Sequence, residues 1–280
     1  MSINITRSLE HAGELARRAK EEGAGTVIVS GGDGTVRTVV EAMAHSGMPV
    51  LIIPTGTENL LACEFGLSGS VESSLDTLDH GKIRHLDLGR VNDRYFMAVA
   101  GVGFDGEVIR RLQKIRKGHI TQSDYFWPIC RAFWEYRSPR IRVVADGQTI
   151  SDEPSMVFVG NISRYAAGLG ILPDADGSDG WLDLTIYKYQ HRYQLIGHSV
   201  LTALHRSHTS KSAIRLRCRQ VSITSSQPGI PVQLDGDPGP SLPLHIQIDP
   251  AAAQIITPPP AGEPYAPPVK HYHLRRWLCG

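Results

Sequence analysis

The chain has 280 residues, of which 41% are hydrophobic and 20% charged, and its formal net charge is +1. This length allows one large domain or two modest ones with a real core, and the near-neutral charge gives no field that would attract nucleic acid. Four widely spaced cysteines, no run of about 18 apolar residues and no apolar signal core predict a cytoplasmic protein without a disulfide framework, a zinc site or a membrane span.

The first part of the chain alternates helix and strand. Apolar residues at helical spacing predict a helix that begins near Leu9 and stops at Gly23, and two more helices are predicted at Thr35–Ser46 and Glu58–Phe65. Between them lie two short apolar strands, "TVIVS" and "PVLIIP". Strands that are apolar on both faces belong to parallel sheets covered by helices, so we predict an α/β domain over residues 1–84.

After residue 84 the pattern changes to strands separated by Gly, Asp and Pro turns. The strand candidates are "HLDLGRVNDRYFMAVAGVG", "RIRVVADGQTI", "SMVFVGN", "WLDLTIYK", "IRLRCRQVSIT", "PVQLDGD" and "LHIQID". Two helical stretches, Ser123–Tyr136 and Tyr193–His205, interrupt them. We predict an antiparallel β-rich sandwich over residues 85–250, followed by a proline-rich linker and a basic, aromatic tail over residues 251–280.

The segment "SGGDGT" joins the first predicted strand to the second predicted helix, at the carboxyl end of a parallel sheet, where open α/β folds bind ligands. Gly31, Gly32 and Gly34 let the backbone approach an anion, and a helix that begins at Thr35 offers N–H groups to phosphate. Asp33 would repel phosphate unless it faces Mg²⁺ or a hydroxyl. A nucleotide triphosphate with its metal is one interpretation, and a plain tight turn is the other.

A second strand, turn and helix in "IIPTGTENLLA" favours the nucleotide. Gly56 and Thr57 repeat the same pattern on the neighbouring predicted strand. Two such turns side by side are more than chance would supply. The pair therefore indicates a phosphate site at this edge of the sheet.

Five motifs in one order make the chain resemble the diacylglycerol kinase catalytic-domain family, which includes bacterial lipid kinases and the sphingosine and ceramide kinases. The motifs are "GGDGT", "PTGTEN", "GVGFDG", "LPDADGSDGWLDL" and "LDGDPG". The resemblance covers most of the chain. It implies an α/β nucleotide-binding domain of the NAD kinase and diacylglycerol kinase type, then a β-rich lipid-substrate domain, with the site in the cleft. The implied reaction transfers the γ-phosphate of ATP to the hydroxyl of diacylglycerol or a related lipid alcohol.

The resemblance also implies roles for individual residues. Nucleotide phosphates and Mg²⁺ would be held by Thr6, Gly31, Gly32, Asp33, Gly34, Thr35, Gly56, Thr57 and Asn59. Asp237 matches the general base, and Asp105 and Asp33 complete an acidic cluster that Mg²⁺ would hold together.

A second metal is implied in "LPDADGSDGWLDL". In the family it is held by the carboxylate that matches Asp179 and by the carbonyls that match Asp176 and Trp181. The other interpretation of this segment is a plain acidic turn.

The sequence departs from the family at three points. No strand ending in Asn-Pro-x-x-Gly precedes Ser2–Thr6, so we expect either that the start is misplaced or that the first strand of the α/β domain is missing. Arg37 and Thr38 stand where Asn-Glu is usual, and Arg37 either meets phosphate or lies on the helix surface. Asp237 stands where Glu is usual, and we expect Asp235 to fix the turn that carries it.

Two other functions stay open. An NAD kinase would explain "GGDGT" but not "PTGTEN" or "LDGDPG". A non-catalytic module that binds lipid or nucleotide is the other alternative. The expected partner is a lipid at the inner face of the membrane, a homodimer is an option, and no nucleic acid is expected.

Overall fold

The computed structural model describes residues 2–115, 126–136, 138–165, 171–188, 194 and 213–259. Its helices are α1 (Leu9–Glu21), α2 (Asp33–Ala42), α3 (Leu60–Glu64), α4 (Val71–His80), α5 (Phe104–Ile115) and α6 (Phe126–Glu135). Its strands are β1 (Val27–Gly31), β2 (Pro49–Pro54), β3 (Lys82–Val91), β4 (Arg94–Phe96), β5 (Val99–Val102), β6 (Arg140–Ala145), β7 (Gln148–Gly160), β8 (Leu182–Lys188), β9 (Ala213–Cys218), β10 (Gln220–Thr224), β11 (Val232–Leu234), β12 (Asp237–Pro238) and β13 (Leu244–Thr257). None of these helices is long and apolar enough to cross a bilayer.

The first domain is an α/β layer structure, as the apolar strands predicted. β1 and β2 are parallel and in register from Val27 opposite Val50 onward. Both strands contribute buried residues to one apolar core, which also contains Val40 of α2 and Ala16 of α1. α1 begins at this position because the side chain of Ser8 accepts a hydrogen bond from a backbone N–H in its first turn.

The second domain is a β-sandwich, which confirms the predicted fold class. One layer runs through β13, β10, β6 and β7, and the other through β7, β5, β11 and β12, with β8 and β9 beyond β7. Residues from both layers meet in one buried core, among them Val143, Val157, Leu184 and Val221. The long strand β7 joins the layers because its first half pairs with β6 and its second half with β5 and β8.

Strand β13 belongs to both domains. Residues 244–247 pair antiparallel with β10, whereas residues 254 and 255 pair parallel with β2. The register with β3 shifts between Asp249 and Ala253, and Ala251 has a φ of 51°. This bulge carries the strand past Pro250, which has no N–H to donate.

The β-strand therefore continues through residue 250, where we predicted the second domain to end. Residues 251–257, which we assigned to a linker, form its second half. Residues 260–280 of the predicted linker and tail lie outside the described residues. So does most of the predicted helix at Tyr193–His205.

Other elements also differ from the sequence prediction, and the helices α4 and α5 were not predicted at all. α2 begins at Asp33, two residues before the predicted start, with Gly32 as its N-cap. The segment "IRLRCRQVSIT" forms two strands, β9 and β10, that are separated at Arg219. Residues 2–6, including Thr6, form an exposed segment without helix or strand that leads into α1.

Candidate active site

The two glycine turns are in direct contact. A Cβ placed on Gly56 would lie 2.6 Å from the Cα of Gly32, and a Cβ on Gly32 would lie 3.3 Å from the Cα of Gly56. The N–H of Thr55 also donates to the carbonyl of Gly31 at 3.1 Å. Glycine is required at Gly56 because any side chain would meet backbone there. Packing of one turn on the other is thus a reason for these glycines that is independent of phosphate.

Asp33 ties the second turn to the first. Its Oδ1 accepts the N–H of Leu60 at 2.7 Å, and its Oδ2 accepts the N–H of Asn59 at 2.9 Å. Burial raises the pKa of Asp33, these N–H groups oppose the rise, and nearby Asp235 adds to it. The sequence predicted that Asp33 faces Mg²⁺ or a hydroxyl. Both oxygens instead cap α3, although each keeps a lone pair that a metal could use.

Asn59 shapes the second turn from within. It has a φ of 51°, and its side-chain amide folds back on Gly56. Its Oδ1 accepts the N–H of Gly56 at 2.8 Å, and its Nδ2 donates to the carbonyl of Gly56 at 2.7 Å. Thr57 lies inside the loop that this clamp closes. The predicted nucleotide contact by Asn59 stays a prediction, and the observed contacts give it a role in holding the loop.

The N-terminus of α2 faces the space beside these turns. The N–H groups of Thr35 and Val36 donate to the carbonyl of Gly32 at 3.0 and 3.1 Å, so Thr35 is not the open end that we predicted. No described side chain caps this helix, because its N-cap is Gly32. An uncapped N-terminus keeps its positive dipole available to an anion. Gly31 fits closely as well, since a Cβ there would lie 2.9 Å from the Cβ of Thr35.

Asp235 fixes the turn between β11 and β12, which confirms that prediction. Its carboxylate accepts the N–H groups of Met97, Ala98 and Val99 at 2.8, 2.9 and 3.0 Å. Burial raises the pKa of Asp235, while these donors and Arg37 oppose the rise. Three backbone donors fix the orientation of this buried carboxylate. Asp235 therefore holds the β11–β12 hairpin against the β4–β5 connection.

Arg37 is buried, with 6% of its surface exposed, so of the two alternatives the one that placed it on the helix surface is wrong, and contact with phosphate stays a prediction. Its Nη2 donates to Oδ2 of Asp237 at 2.8 Å, and its Nη1 donates to the carbonyl of Leu234 at 2.9 Å. Both contacts point to the β11–β12 hairpin. α2 of the first domain is therefore joined to the second domain by one guanidinium group.

Asp237 lies against the N-terminal turn of α2. A Cβ on Gly34 would be 3.7 Å from Oδ2 of Asp237, and the Asp237 side chain is 26% exposed. The residue predicted to be the general base thus lies beside the helix end predicted to receive phosphate. Gly34 leaves the space between them open.

Asp105 reaches the same hairpin through a glutamine. Its Oδ2 accepts a hydrogen bond from Nε2 of Gln233 at 2.8 Å, and its Oδ1 accepts one from the hydroxyl of Tyr165. Oε1 of Gln233 in turn accepts the N–H of Gly236 at 2.8 Å. Burial raises the pKa of Asp105, and the hydrogen bonds from Tyr165 and Gln233 oppose the rise. Gln233, in β11, and Tyr165, in the loop after β7, escaped the sequence analysis, since a lone polar residue carries no motif.

The acidic turn around Asp179 has an arginine where a metal was predicted. Oδ2 of Asp179 pairs with Arg217, and its Oδ1 accepts the N–H of Trp181 at 3.0 Å. Oδ1 of Asp176 accepts both the N–H and the hydroxyl of Ser178. The described residues contain no group of three or more His, Cys, Asp or Glu arranged for a metal. This arrangement does not fit an ion unless Arg217 leaves, so the metal stays a prediction.

Comparison with known proteins covers both domains. Residues 1–91 match the family model for the diacylglycerol kinase catalytic domain, and residues 98–257 match that for the YegS C-terminal NAD kinase beta sandwich-like domain. A diacylglycerol kinase of Mycobacterium tuberculosis is 33% identical over 256 residues, which cover 88% of this chain and 81% of the relative. A probable lipid kinase, YegS-like, of Shewanella frigidimarina is 24% identical over 266 residues, which cover 92% and 85%.

The fold is shared with a solved structure. A diacylglycerol kinase from Bacillus anthracis str. Sterne matches with a TM-score of 0.72 and 20% sequence identity, over 91% of this chain and 84% of that chain. Both domain matches occur in the order that the five motifs predicted, and Arg37 of the first domain contacts Asp237 of the second. The chain therefore belongs to the diacylglycerol kinase family of lipid kinases.

Proposed function

We propose that the protein is an ATP-dependent lipid kinase that phosphorylates the hydroxyl of diacylglycerol or a related lipid alcohol. The observation that carries this proposal is the position of Asp237, 3.7 Å from a Cβ placed on Gly34 at the N-terminus of α2. A carboxylate of one domain thus faces the phosphate-type turn of the other. The names of the relatives support a lipid acceptor over NAD.

Phosphoryl transfer requires positioning and charge neutralisation more than covalent chemistry. The uncapped end of α2 and the paired turns would receive the phosphates of ATP. Mg²⁺ bound to those phosphates would neutralise their charge, and the spare lone pairs of Asp33 could contribute to holding it. Asp237 would accept the proton of the lipid hydroxyl while the hydroxyl oxygen bonds to the γ-phosphorus. The bond from the γ-phosphorus to its bridging oxygen breaks, and ADP leaves.

We place this reaction at the cytoplasmic face of the membrane. ATP is water-soluble, whereas a diacylglycerol stays in the bilayer, so the enzyme has to meet both at that boundary. A lipid hydroxyl would reach Asp237 through the cleft between the domains.

The test is transfer of labelled γ-phosphate from Mg·ATP to diacylglycerol in mixed micelles. NAD is offered separately as the competing acceptor. We expect a labelled lipid and no labelled NAD. We also expect Asp237→Asn to lower kcat by about 10²-fold or more while ATP affinity stays close to that of the wild type. Transfer to NAD alone would favour the NAD kinase alternative, and ATP binding without transfer would favour the non-catalytic module.

A further inference from the structure

We propose that Arg37 is a positioning residue, which fixes the carboxylate of Asp237 from the helix that receives the phosphates. The inference rests on the proposed lipid kinase function. It gives Arg37 a role that differs from both alternatives of the sequence analysis, which were contact with phosphate and a position on the helix surface. Through Arg37, the nucleotide helix and the base become one rigid unit.

The guanidinium group of Arg37 contacts two residues that lie directly opposite each other on β11 and β12. Leu234 of β11 and Asp237 of β12 are direct cross-strand partners. Arg37 donates one N–H to the carbonyl of Leu234 at 2.9 Å and another to Oδ2 of Asp237 at 2.8 Å. The fork is planar and rigid, so two such contacts fix the carboxylate relative to the backbone of the opposite strand. Lysine has no planar fork with which to hold both acceptors in this way.

The position of Arg37 on α2 matches this role. Gly34 and Arg37 are three residues apart, so they lie on the same face of the helix. A Cβ on Gly34 would be 3.7 Å from Asp237, while Arg37 reaches the same carboxylate from one turn further along. Asp237 is therefore held between the open end of the helix and the guanidinium. Any shift of α2 would move the base with it.

Charge gives a second reason for an arginine here. Asp235 and Asp237 are two carboxylates of one short turn, and Arg37 acts on both of them. Burial raises the pKa of Asp235, and the positive charge of Arg37 opposes that rise. Without Arg37, Asp235 would lose this positive charge and Asp237 would lose the ion pair at 2.8 Å that holds its carboxylate.

The test is a mutant cycle on the lipid kinase reaction, with kcat and the KM for ATP measured separately. We expect Arg37→Gln to lower kcat by about 10²-fold, because a displacement near 1 Å at a reacting group costs this much. The KM for ATP should change little. Arg37→Lys keeps the positive charge but loses the planar fork, so its kcat should lie between those of the wild type and Arg37→Gln. When Asp237→Asn is already present, adding Arg37→Gln should lower kcat only slightly further. The effects of substituting two residues that act as one unit are not additive.

The matched control is Arg94→Gln. Arg94 is exposed and donates to the carbonyl of Pro238 in the same hairpin at 3.5 Å, so this substitution removes an arginine that contacts β12 but not Asp237. Its kcat should match that of the wild type. If Arg37→Gln does not fold, Arg37→Lys alone decides, and a wild-type kcat for it would overturn the inference.

The outcomes separate the two proposals. If the wild type phosphorylates lipid and Arg37→Gln has an unchanged kcat, the proposed role of Arg37 is overturned and the lipid kinase proposal stands. Fully additive losses in the double variant overturn it as well. A wild-type protein without lipid transfer overturns the proposed function, and this inference falls with it.

Discussion

Substitution of Gly56 by alanine tests whether contact between the two turns builds the nucleotide site. The new Cβ would lie 2.6 Å from the Cα of Gly32 and 3.0 Å from Oδ1 of Asn59. Carbon atoms in contact are normally about 3.5–4.0 Å apart, so the turns have to separate by about 1 Å. Forced overpacking of this kind costs about 1–3 kcal/mol of folding free energy. The same displacement at a phosphate site should lower kcat on the order of a hundredfold.

The assay for Gly56→Ala combines urea unfolding, calorimetric titration with Mg·ATP and the lipid phosphorylation assay. Gly25→Ala is the matched control, because a Cβ on Gly25 would meet no atom within 4 Å. We expect the control to bind Mg·ATP and unfold like the wild type. Gly56→Ala should be less stable and bind Mg·ATP more weakly. Wild-type affinity together with an unchanged free energy of unfolding in Gly56→Ala would refute the reasoning.

Three further substitutions test separate parts of the structure. Gly34→Val fills the open space beside Asp237, so Mg·ATP binding should be lost in calorimetry with little change in melting temperature; normal binding would contradict the phosphate assignment. Burial, with a contribution from Asp174, raises the pKa of Asp183 from 3.8 to about 6. The folded protein then holds a proton that the unfolded chain has lost, so stability falls as the pH rises from about 4 to 6. Asp183→Asn should therefore melt above the wild type at pH 7.5 and lose this advantage below pH 4, whereas Asn in place of the exposed Asp93 should have no such effect. Because Arg217 neutralises Asp179, millimolar Mg²⁺ should not raise the wild-type melting temperature but should raise that of Arg217→Gln; a rise in the wild type would show that a metal displaces the arginine.

The strands and turns of both domains followed from local patterns. The parallel pairing of β1 with β2 is readable in "TVIVS" and "PVLIIP", because apolar runs without alternation require cover on both faces. The glycine turns were also readable as a candidate ligand site, which stays a prediction. Their mutual packing was not, since a glycine needed beside backbone looks the same in sequence as a glycine needed beside phosphate.

Contacts between distant segments are what the sequence could not show. Arg37 and Asp237 are 200 positions apart, and an arginine on a helix is normally a surface residue. Pro250 after "LHIQID" is a strand terminator by every local rule, and only a bulge with Ala251 at positive φ allows β13 to continue. The pairing of Asp179 with Arg217 likewise joins two segments that share no motif.

The course of β13 through both domains has a consequence for the order of folding during synthesis. β2 pairs with β1 on one side, but its other partner is the second half of β13, close to the end of the described chain. Until that segment has left the ribosome, an apolar strand of the first domain keeps an unpaired edge, which is a site for aggregation. The first domain to be translated is therefore among the last to be completed. A chain that stops before Ala253 would keep the half of β13 that pairs with β10 in the second domain but would lose the half that pairs with β2 in the first.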